Sequence, residues 1–276
     1  MPLGHLPIVE QFQLTQHSIS QVLCQVQFSP VLALREEEPT IPFQERIRRQ
    51  YPRYSRTNAV QLIVGPQGIM PVAQETAPSF HRFESTDGFA ATLGPDFVAL
   101  ETRTYDRFED VADRLTSLLS VVSELYEPPE ISRVGLRFVN EIRLPADPDR
   151  YGLTEIFRPE LLGALAVEEL QPAAERSEQV LQFVGRDSGN RMAVRHGLFP
   201  DGGSTVTSPM DAPNATSLTD PFYLLDLDAF RAEALPFDVD ATRERVLLFN
   251  DYIRTFFAWA VNERFRRENL SQEDPS

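Results

Sequence analysis

The segment from Ile131 to Leu144 constrains the fold of this chain more than any other. Side chains in a β-strand alternate between the two faces of a sheet. One face of the segment is apolar, apart from Asn140, and carries Val134, Leu136, Phe138, Ile142 and Leu144. The other face carries Arg133, Gly135, Arg137, Val139, Glu141 and Arg143. This pattern predicts a sheet that helices cover on one side, with the arginine-bearing side left open to water, a partner or a ligand. Asn140 is expected to be buried and to bond a loop or backbone group.

Composition excludes several classes of protein. Hydrophobic residues make up 42% of the 276 residues, which is typical of a globular protein with a sizeable core. A chain of this length forms one large domain or two smaller ones. The net charge is 26 − 41 = −15, and a field of that sign repels phosphate backbones. We therefore expect no general nucleic-acid binding.

The termini and the cysteine content indicate a cytoplasmic protein. Cys24 is the only cysteine, so the chain forms no internal disulfide. It falls in the apolar register of its strand, which predicts a small core residue. The N-terminal residues lack the basic and apolar regions of a signal peptide. No apolar run approaches the length that spans a bilayer, so we expect no membrane association.

Hydrophobic periodicity and turn signals predict an α+β protein. Strands are predicted at Ile19–Phe28, Ala59–Val64, Phe97–Arg103, Ile131–Leu144 and Pro221–Phe230, with hairpins at Phe80–Ser85/Phe89–Leu93 and Gln179–Val184/Arg191–Leu198. Helices are predicted at Phe43–Tyr51, Phe108–Tyr126, Leu153–Leu165 and Thr242–Arg267, and a mobile loop at 200–220. The expected fold class is an antiparallel sheet, or sheets, with helices packed on one face, and it includes two similar halves.

The same order of elements suggests two units. Residues 1–148 form an N-terminal α+β half that contains the arginine-rich strand. Residues 149–268 form a C-terminal α+β half that ends in a long helix, and residues 269–276 form a frayed tail. Apolar residues of the Thr242–Arg267 helix cover more than the one stripe that a surface helix needs. The surplus indicates either a dimer interface or deep burial in the core.

The segment Arg133-Val-Gly-Leu-Arg-Phe-Val-Asn140 resembles a known signature. It is similar to the Arg-Ile-Gly-Leu-Arg-Tyr-Ile-Asn motif of a sporadically distributed family of uncharacterised prokaryotic conserved hypothetical proteins. Three further stretches resemble that family: Val22–Pro30, Phe43–Arg48, and Leu93–Asp96 followed by Phe108–Val111. The resemblance spans most of the chain, although Ala260–Phe265 departs from the Thr- and acid-rich segment expected there. It implies no activity and no cofactor, and the patchy distribution suggests a mobile or host-defence gene set.

The common catalytic motifs are missing from the sequence. It has no Gly-x-Ser-x-Gly elbow, no Walker loop and no dinucleotide fingerprint. The four histidines, His5, His17, His81 and His196, lie too far apart to suggest a metal site, and each is expected at the surface or in a turn. We therefore expect no catalytic residue, no metal and no cofactor.

The polar strand face is the candidate site. We expect Arg133, Arg137, Glu141, Arg143, Gln25 and Gln27 to bind a ligand or partner, if their strands share one sheet. Arginines favour bidentate recognition of carboxylate or phosphate, so Arg133 and Arg137 are the natural anchors for an anionic group. The alternative is that these charges pair across strands with Glu141, Asp226 or Asp228.

Three functions follow from this face. The first is a noncatalytic interaction or ligand-binding protein, whose sheet face or sheet edge binds another protein, its own copy in a homodimer, or a small anionic ligand. The second is an enzyme, a hydrolase or phosphoryl-handling protein, with Glu141, Asp226 or Asp228 as acid or base beside the arginines. The third, sequence-specific nucleic-acid binding, needs a basic patch that outweighs the acidic charge.

Overall fold

A computed structural model describes residues 19–58, 61–65, 68–72, 79–144, 152–185, 189–200, 203–204, 217–218, 220–263 and 265. The strands are, in chain order, β1 (Ile19–Phe28), β2 (Arg53–Asn58), β3 (Gln61–Gly65), β4 (Gly68–Val72), β5 (Ser79–Glu84), β6 (Phe89–Leu93), β7 (Phe97–Thr102), β8 (Glu130–Arg143), β9 (Gln179–Val184), β10 (Asn190–Phe199), β11 (Gly203–Ser204), β12 (Ser217–Leu218), β13 (Phe222–Arg231) and β14 (Leu235–Pro236). The α-helices are α1 (Ile41–Ile47), α2 (Phe108–Tyr126), α3 (Leu153–Ile156), α4 (Pro159–Leu162) and α5 (Val239–Ala260), and short 3-10 helices lie at Leu32–Arg35, Glu38–Thr40, Gly163–Ala166 and Glu168–Ala173.

Ten of these strands form one antiparallel sheet. Its order is β2-β5-β6-β7-β1-β8-β13-β10-β9, and β14 pairs with the start of β8. The remaining strands pair as β3 with β4 and as β11 with β12. The predicted α+β class with an antiparallel sheet is therefore confirmed.

Strand β8 lies at the centre of the sheet and joins the two parts of the chain. It pairs with β1 on one side and with β13 on the other, along most of its length. Since β13 follows residue 148 in the chain and β1 precedes it, the sheet continues across the predicted boundary between the halves. This central position explains why β8 is the longest strand among the described residues, at 14 residues.

The core lies between the sheet and the helices α2 and α5, which pack against each other. The alternation predicted for β8 is confirmed, because Val134, Leu136 and Phe138 are buried in this core. Phe138 meets the rings of Tyr105 and Phe108 at centroid distances of 5.4 and 6.2 Å. An arginine on α5 also bonds α2 at its surface, with Arg243 Nη2 lying 2.8 Å from Asp113 Oδ1.

Two further core predictions are confirmed. Cys24 is fully buried on the helix-covered face of β1. Asn140 is also fully buried, and its side-chain amide donates a hydrogen bond of 2.9 Å to the carbonyl oxygen of Leu225. The bond crosses from β8 to the neighbouring β13 and gives the buried amide the backbone partner that was expected.

The predicted bounds of two helices were wrong. The predicted helix over Leu153–Leu165 is broken, because Arg158 precedes a proline and adopts an extended conformation with ψ 139°. Helix α5 begins at Val239, after Asp238 caps it by accepting a bond from the backbone N–H of Ala241. It ends at Ala260 and does not extend to residue 267, since Val261 is extended and bridges to Phe157.

The broad apolar surface of α5 is explained by burial. Phe249, Ile253, Phe256 and Phe257 are almost fully buried in the core, and Leu247 and Leu248 pack against it while partly exposed. Of the two interpretations of the surplus, deep burial within the same chain is the one that the structure supports.

The prediction for the histidines was wrong at two positions. His81 and His196 are fully buried on the helix-covered face, while His5 and His17 lie outside the described residues. Each buried imidazole bonds a tyrosine through Nδ1: His81 meets Tyr54 Oη at 3.1 Å, and His196 meets Tyr223 Oη at 2.8 Å. Both positions follow from the alternation along β5 and β10, because each histidine shares a face with buried apolar neighbours.

We expect the free energy of unfolding to fall as the pH decreases from about 6.5 to about 4. Burial lowers the pKa of His196 from 6.5 to about 4, so over this range the unfolded chain binds a proton that the folded chain does not. The full effect is on the order of 3 kcal/mol, and denaturant unfolding at several pH values measures it. His196→Gln retains a hydrogen-bond partner for Tyr223, and we expect its free energy of unfolding to fall less over the same pH range. An identical pH dependence in both proteins would contradict this role of His196.

Candidate functional site: the arginine face of the sheet

The face of the sheet opposite α2 and α5 brings the predicted site residues together. We call it the arginine face and define it by Gln25 and Gln27 of β1, Arg133, Arg137, Glu141 and Arg143 of β8, and Asp226 and Asp228 of β13. The strand register places Gln27 directly opposite Arg133, and Asp228 directly opposite Arg137. The adjacency of β1, β8 and β13 therefore joins residues that are far apart in the sequence.

Arg137 forms a bidentate ion pair with Asp226. Its Nε lies 2.7 Å from Oδ1 and its Nη2 lies 2.6 Å from Oδ2 of that carboxylate. The Asp226 side chain is only 5% exposed, whereas the arginine keeps 22% of its side chain exposed. A carboxylate buried to this extent needs a charged partner, because removing it from water is costly. Arg137 supplies that charge within the sheet.

Arg133 reaches Asp228 by lying across Gly135. Its Nη2 lies 3.1 Å from Asp228 Oδ2, and its guanidinium carbon lies 5.0 Å from the centre of the Phe230 ring. A β-carbon at position 135 would clash with the Nη1 atom of Arg133. The glycine in the Arg-Val-Gly-Leu-Arg stretch therefore leaves room for the first arginine to cross the strand.

The arginines of β8 and the aspartates of β13 carry opposite charges that pair with each other. Burial raises the pKa of Asp228 above its usual value, and the positive charges of Arg133 and Arg137 partly oppose that shift. The neighbouring Asp226 carboxylate adds to the rise by repulsion. Two arginines and two aspartates thus form a compact, charge-balanced ladder. The structure therefore shows the cross-strand pairing with Asp226 and Asp228 that the sequence analysis gave as the alternative.

The other predicted residues surround the ladder. Gln25 and Gln27 are half-buried, and Gln27 donates a side-chain bond of 3.3 Å to Gln25. Glu141 is half-buried two positions beyond Val139 on the same face. Arg143 is 65% exposed at the end of β8, with its Nη1 atom 3.3 Å from Asp220 Oδ2. The glutamines and the two paired arginines form one continuous patch, with Arg143 at its margin.

Sequence reasoning missed a second polar cluster on this face. Arg82 of β5 forms ion pairs with Glu84 and with Glu101 of β7. Gln21 of β1 donates a bond of 3.2 Å to the buried Glu101 carboxylate, which extends the cluster towards β8. The sequence contains no local signal for this contact, because it depends on β7 and β1 lying side by side.

The expectation of an entirely open face was wrong on both sides of the ladder, because Phe97 and Ala99 of β7, which lie beside Gln27 and Gln25, are also nearly fully buried. At the other end, four apolar side chains on the same side of the sheet as the arginines are nearly fully buried: Val139, Phe199, Phe222 and Leu224. The Phe199 and Phe222 rings stack with a centroid distance of 4.9 Å, and the Arg176 guanidinium lies 4.5 Å from the Phe199 centroid. Buried apolar residues therefore border the patch on both sides, and the exposed polar surface is confined to β8, β1 and the adjacent part of β13.

A reactive cysteine, a metal site and a membrane-spanning helix have no support among the described residues. Burial raises the pKa of the Cys24 thiol to about 12, so it stays protonated and unreactive at neutral pH. No cluster of three or more His, Cys, Asp or Glu side chains within the described ranges has the arrangement of a metal site. In that part of the chain, no helix has both the length and the apolar character needed to cross a membrane.

Comparison with known proteins adds no family and no relative. No protein-family model matches this sequence, and no curated protein is significantly similar to it. The resemblance of the Arg133–Asn140 segment to a prokaryotic family therefore stays a prediction.

We expect the two ladder arginines to contribute unequally to stability. Arg137→Ala leaves the Asp226 carboxylate buried without its partner, which costs about 3–5 kcal/mol of unfolding free energy. Arg133→Ala costs about 1 kcal/mol or less, because the more exposed Asp228 still faces Arg137 across the strands. Urea unfolding at neutral pH measures both.

The double variant Arg137→Met/Asp226→Leu provides the control for charge burial. It replaces the ion pair with apolar side chains, so we expect it to lose less unfolding free energy than Arg137→Ala does. Equal losses in the Arg133→Ala and Arg137→Ala variants would contradict the assigned roles.

Proposed function

We propose that this chain is a noncatalytic interaction protein that binds a partner protein through the arginine face. The observation that carries the proposal is the ladder itself: two arginine side chains, held in place by Asp226 and Asp228, remain more than a fifth exposed at the centre of the sheet. Arginine is enriched at the energetically important positions of protein interfaces. Preorganised side chains lose little conformational entropy on binding, which favours affinity.

The geometry favours a protein over a small anion as the occupant. Each arginine of the ladder already has an aspartate partner on β13, so its charge is balanced and attracts a free anion less strongly. A protein surface can instead bond the remaining donors of Arg133 and the amides of Gln25 and Gln27 together. The proposed partner therefore offers hydrogen-bond acceptors spaced along β8 and β1.

The cellular setting is proposed from the sequence alone. We propose a cytoplasmic location from the sequence, and a role in a mobile or host-defence gene set from the resemblance of the arginine motif. Both suit an acidic protein that recognises other proteins and avoids nucleic acid.

Affinity purification from the native host, followed by mass spectrometry, tests the proposed surface. We expect a partner to be retained by the wild type and lost from Arg133→Gln/Gln27→Ala, since this variant removes two partly exposed binding groups but keeps the structural pair of Arg137. Gly135→Ala should act in the same direction, because its β-carbon displaces the Arg133 guanidinium without changing the charge.

Arg243→Gln is the matched control for this experiment. It also removes one partly exposed arginine of an ion pair, but on the helix layer and away from the arginine face. Circular dichroism and thermal unfolding must show all variants equally folded. The same partners recovered with the face variants as with wild type would overturn the proposal.

One observation favours an enzyme as the second candidate. Asp228 combines a raised pKa with a neighbouring carboxylate and two arginines, a combination that also occurs in acid–base sites. Under the binding proposal we expect no turnover of p-nitrophenyl phosphate or p-nitrophenyl acetate above the rate without protein. Turnover by the wild type that disappears in Asp228→Asn would replace the binding function with a hydrolytic one.

A further inference from the structure

Strand β9 leaves one edge of the large sheet uncovered. It is the last strand of the sheet order, and within the described part of the chain no strand pairs with its outer edge. Its sequence, Gln179-Val-Leu-Gln-Phe-Val184, has no charge and no proline. Val180 and Val184 are 63% and 72% exposed, and Leu181 is 38% exposed. An edge with these properties is a template for pairing with another strand.

The opposite edge of the sheet is protected. Strand β2 carries Arg53 and Arg56, and charged side chains on an edge strand oppose the addition of another strand. The contrast between the two edges indicates that the uncharged edge of β9 has an occupant.

The backbone groups that point outward can be identified from the bonds at the two ends of β9. The N–H groups of Ser177 and Gly185 donate to Leu198 and Asn190 of β10, at 3.1 and 2.9 Å. Because strand residues alternate in direction, the odd-numbered residues between them also bond β10. The N–H and C=O groups of Val180, Gln182 and Val184 therefore point away from the sheet.

These outward groups match a second copy of the same strand. If a two-fold axis passes through Gln182, Val180 faces Val184 of the second copy, and Gln182 faces its own counterpart. All three outward residues then fall in hydrogen-bonded pairs, and each such pair exchanges two backbone bonds. The side chains also match, because Val180 and Val184 share one face of the sheet while Leu181 and Phe183 share the other. Phe183 lies on the helix side, 5.6 Å from the Phe256 ring.

We propose that the chain forms a two-fold symmetric homodimer by antiparallel pairing of β9 with β9, in the register centred on Gln182. The two sheets join into one continuous sheet, with the helix layers of both copies on the same side. Because the strand carries no charge, the pairing places no like charges of β9 opposite each other, and a two-fold contact closes on itself without forming filaments. The interface is distinct from the arginine face, so this inference does not rest on the proposed function.

Cysteine substitution tests both the dimer and its register. Gln182→Cys places two thiols on Cα atoms about 5.5 Å apart, within the range that a disulfide spans. We expect mild oxidation to give a covalent dimer on nonreducing gels. Val180→Cys is the matched control, since its counterpart lies four residues away along the strand, and it should cross-link only when mixed with Val184→Cys. The native Cys24 is fully buried and does not interfere.

Light scattering and sedimentation across a wide range of protein concentration measure the dimer without cross-linking. Gln182→Pro removes one outward N–H and no bond to β10, and proline is tolerated on edge strands, so we expect a folded monomer. Circular dichroism checks the fold. A wild type that stays monomeric at all concentrations would overturn the proposal, as would a dimer that survives Gln182→Pro. Cross-linking of Val180→Cys alone as efficient as that of Gln182→Cys would overturn the register.

Discussion

The pairing of β8 with β1 on one side and with β13 on the other is the constraint on which the rest of the structure depends. Both neighbours run antiparallel to β8 and pair with most of its residues. The pairing puts Leu136 and Phe138 under α2 and α5 and turns Arg133 and Arg137 to the opposite side. A shift of one residue would exchange these two faces and bury the arginines in the core, so the register is strongly specified.

On the arginine face, the burial of one carboxylate sets the arrangement of the ladder. Asp226 lies almost out of contact with water, and within the described part of the chain the bidentate contact of Arg137 compensates that loss of hydration. Arg133 crosses Gly135 and forms an ion pair with the neighbouring Asp228. This crossing explains why a glycine lies between the two arginines. The same residues thus have a structural role and an exposed surface. A binding function has to use the part of these side chains that stays exposed after the ion pairs have formed.

The arginine face and the outer edge of β9 differ in physical character. The arginine face is polar, charge-balanced and held rigid by cross-strand pairs, which suits recognition of a specific protein surface. The edge of β9 is uncharged and offers backbone groups with exposed valines, which suits strand addition. Because the ladder belongs to β8, β1 and β13 and the edge belongs to β9, a dimer formed through β9 would leave the arginine face of both copies exposed.

The sequence alone determined the α+β class, the limits of α2 and most strands, and the two faces of β8, because these depend on local periodicity and on proline stops. It also determined that Cys24 and Asn140 are buried, since both follow the apolar register of their strands. The order of strands was decided only by the tertiary structure, and with it the pairing of Arg137 with Asp226 across 89 residues of chain. The Arg82–Glu101 cluster and the exposed edge of β9 also arise from that order. Contacts between distant strands depend on which of many possible neighbours packs best, and no local pattern of residues encodes that choice.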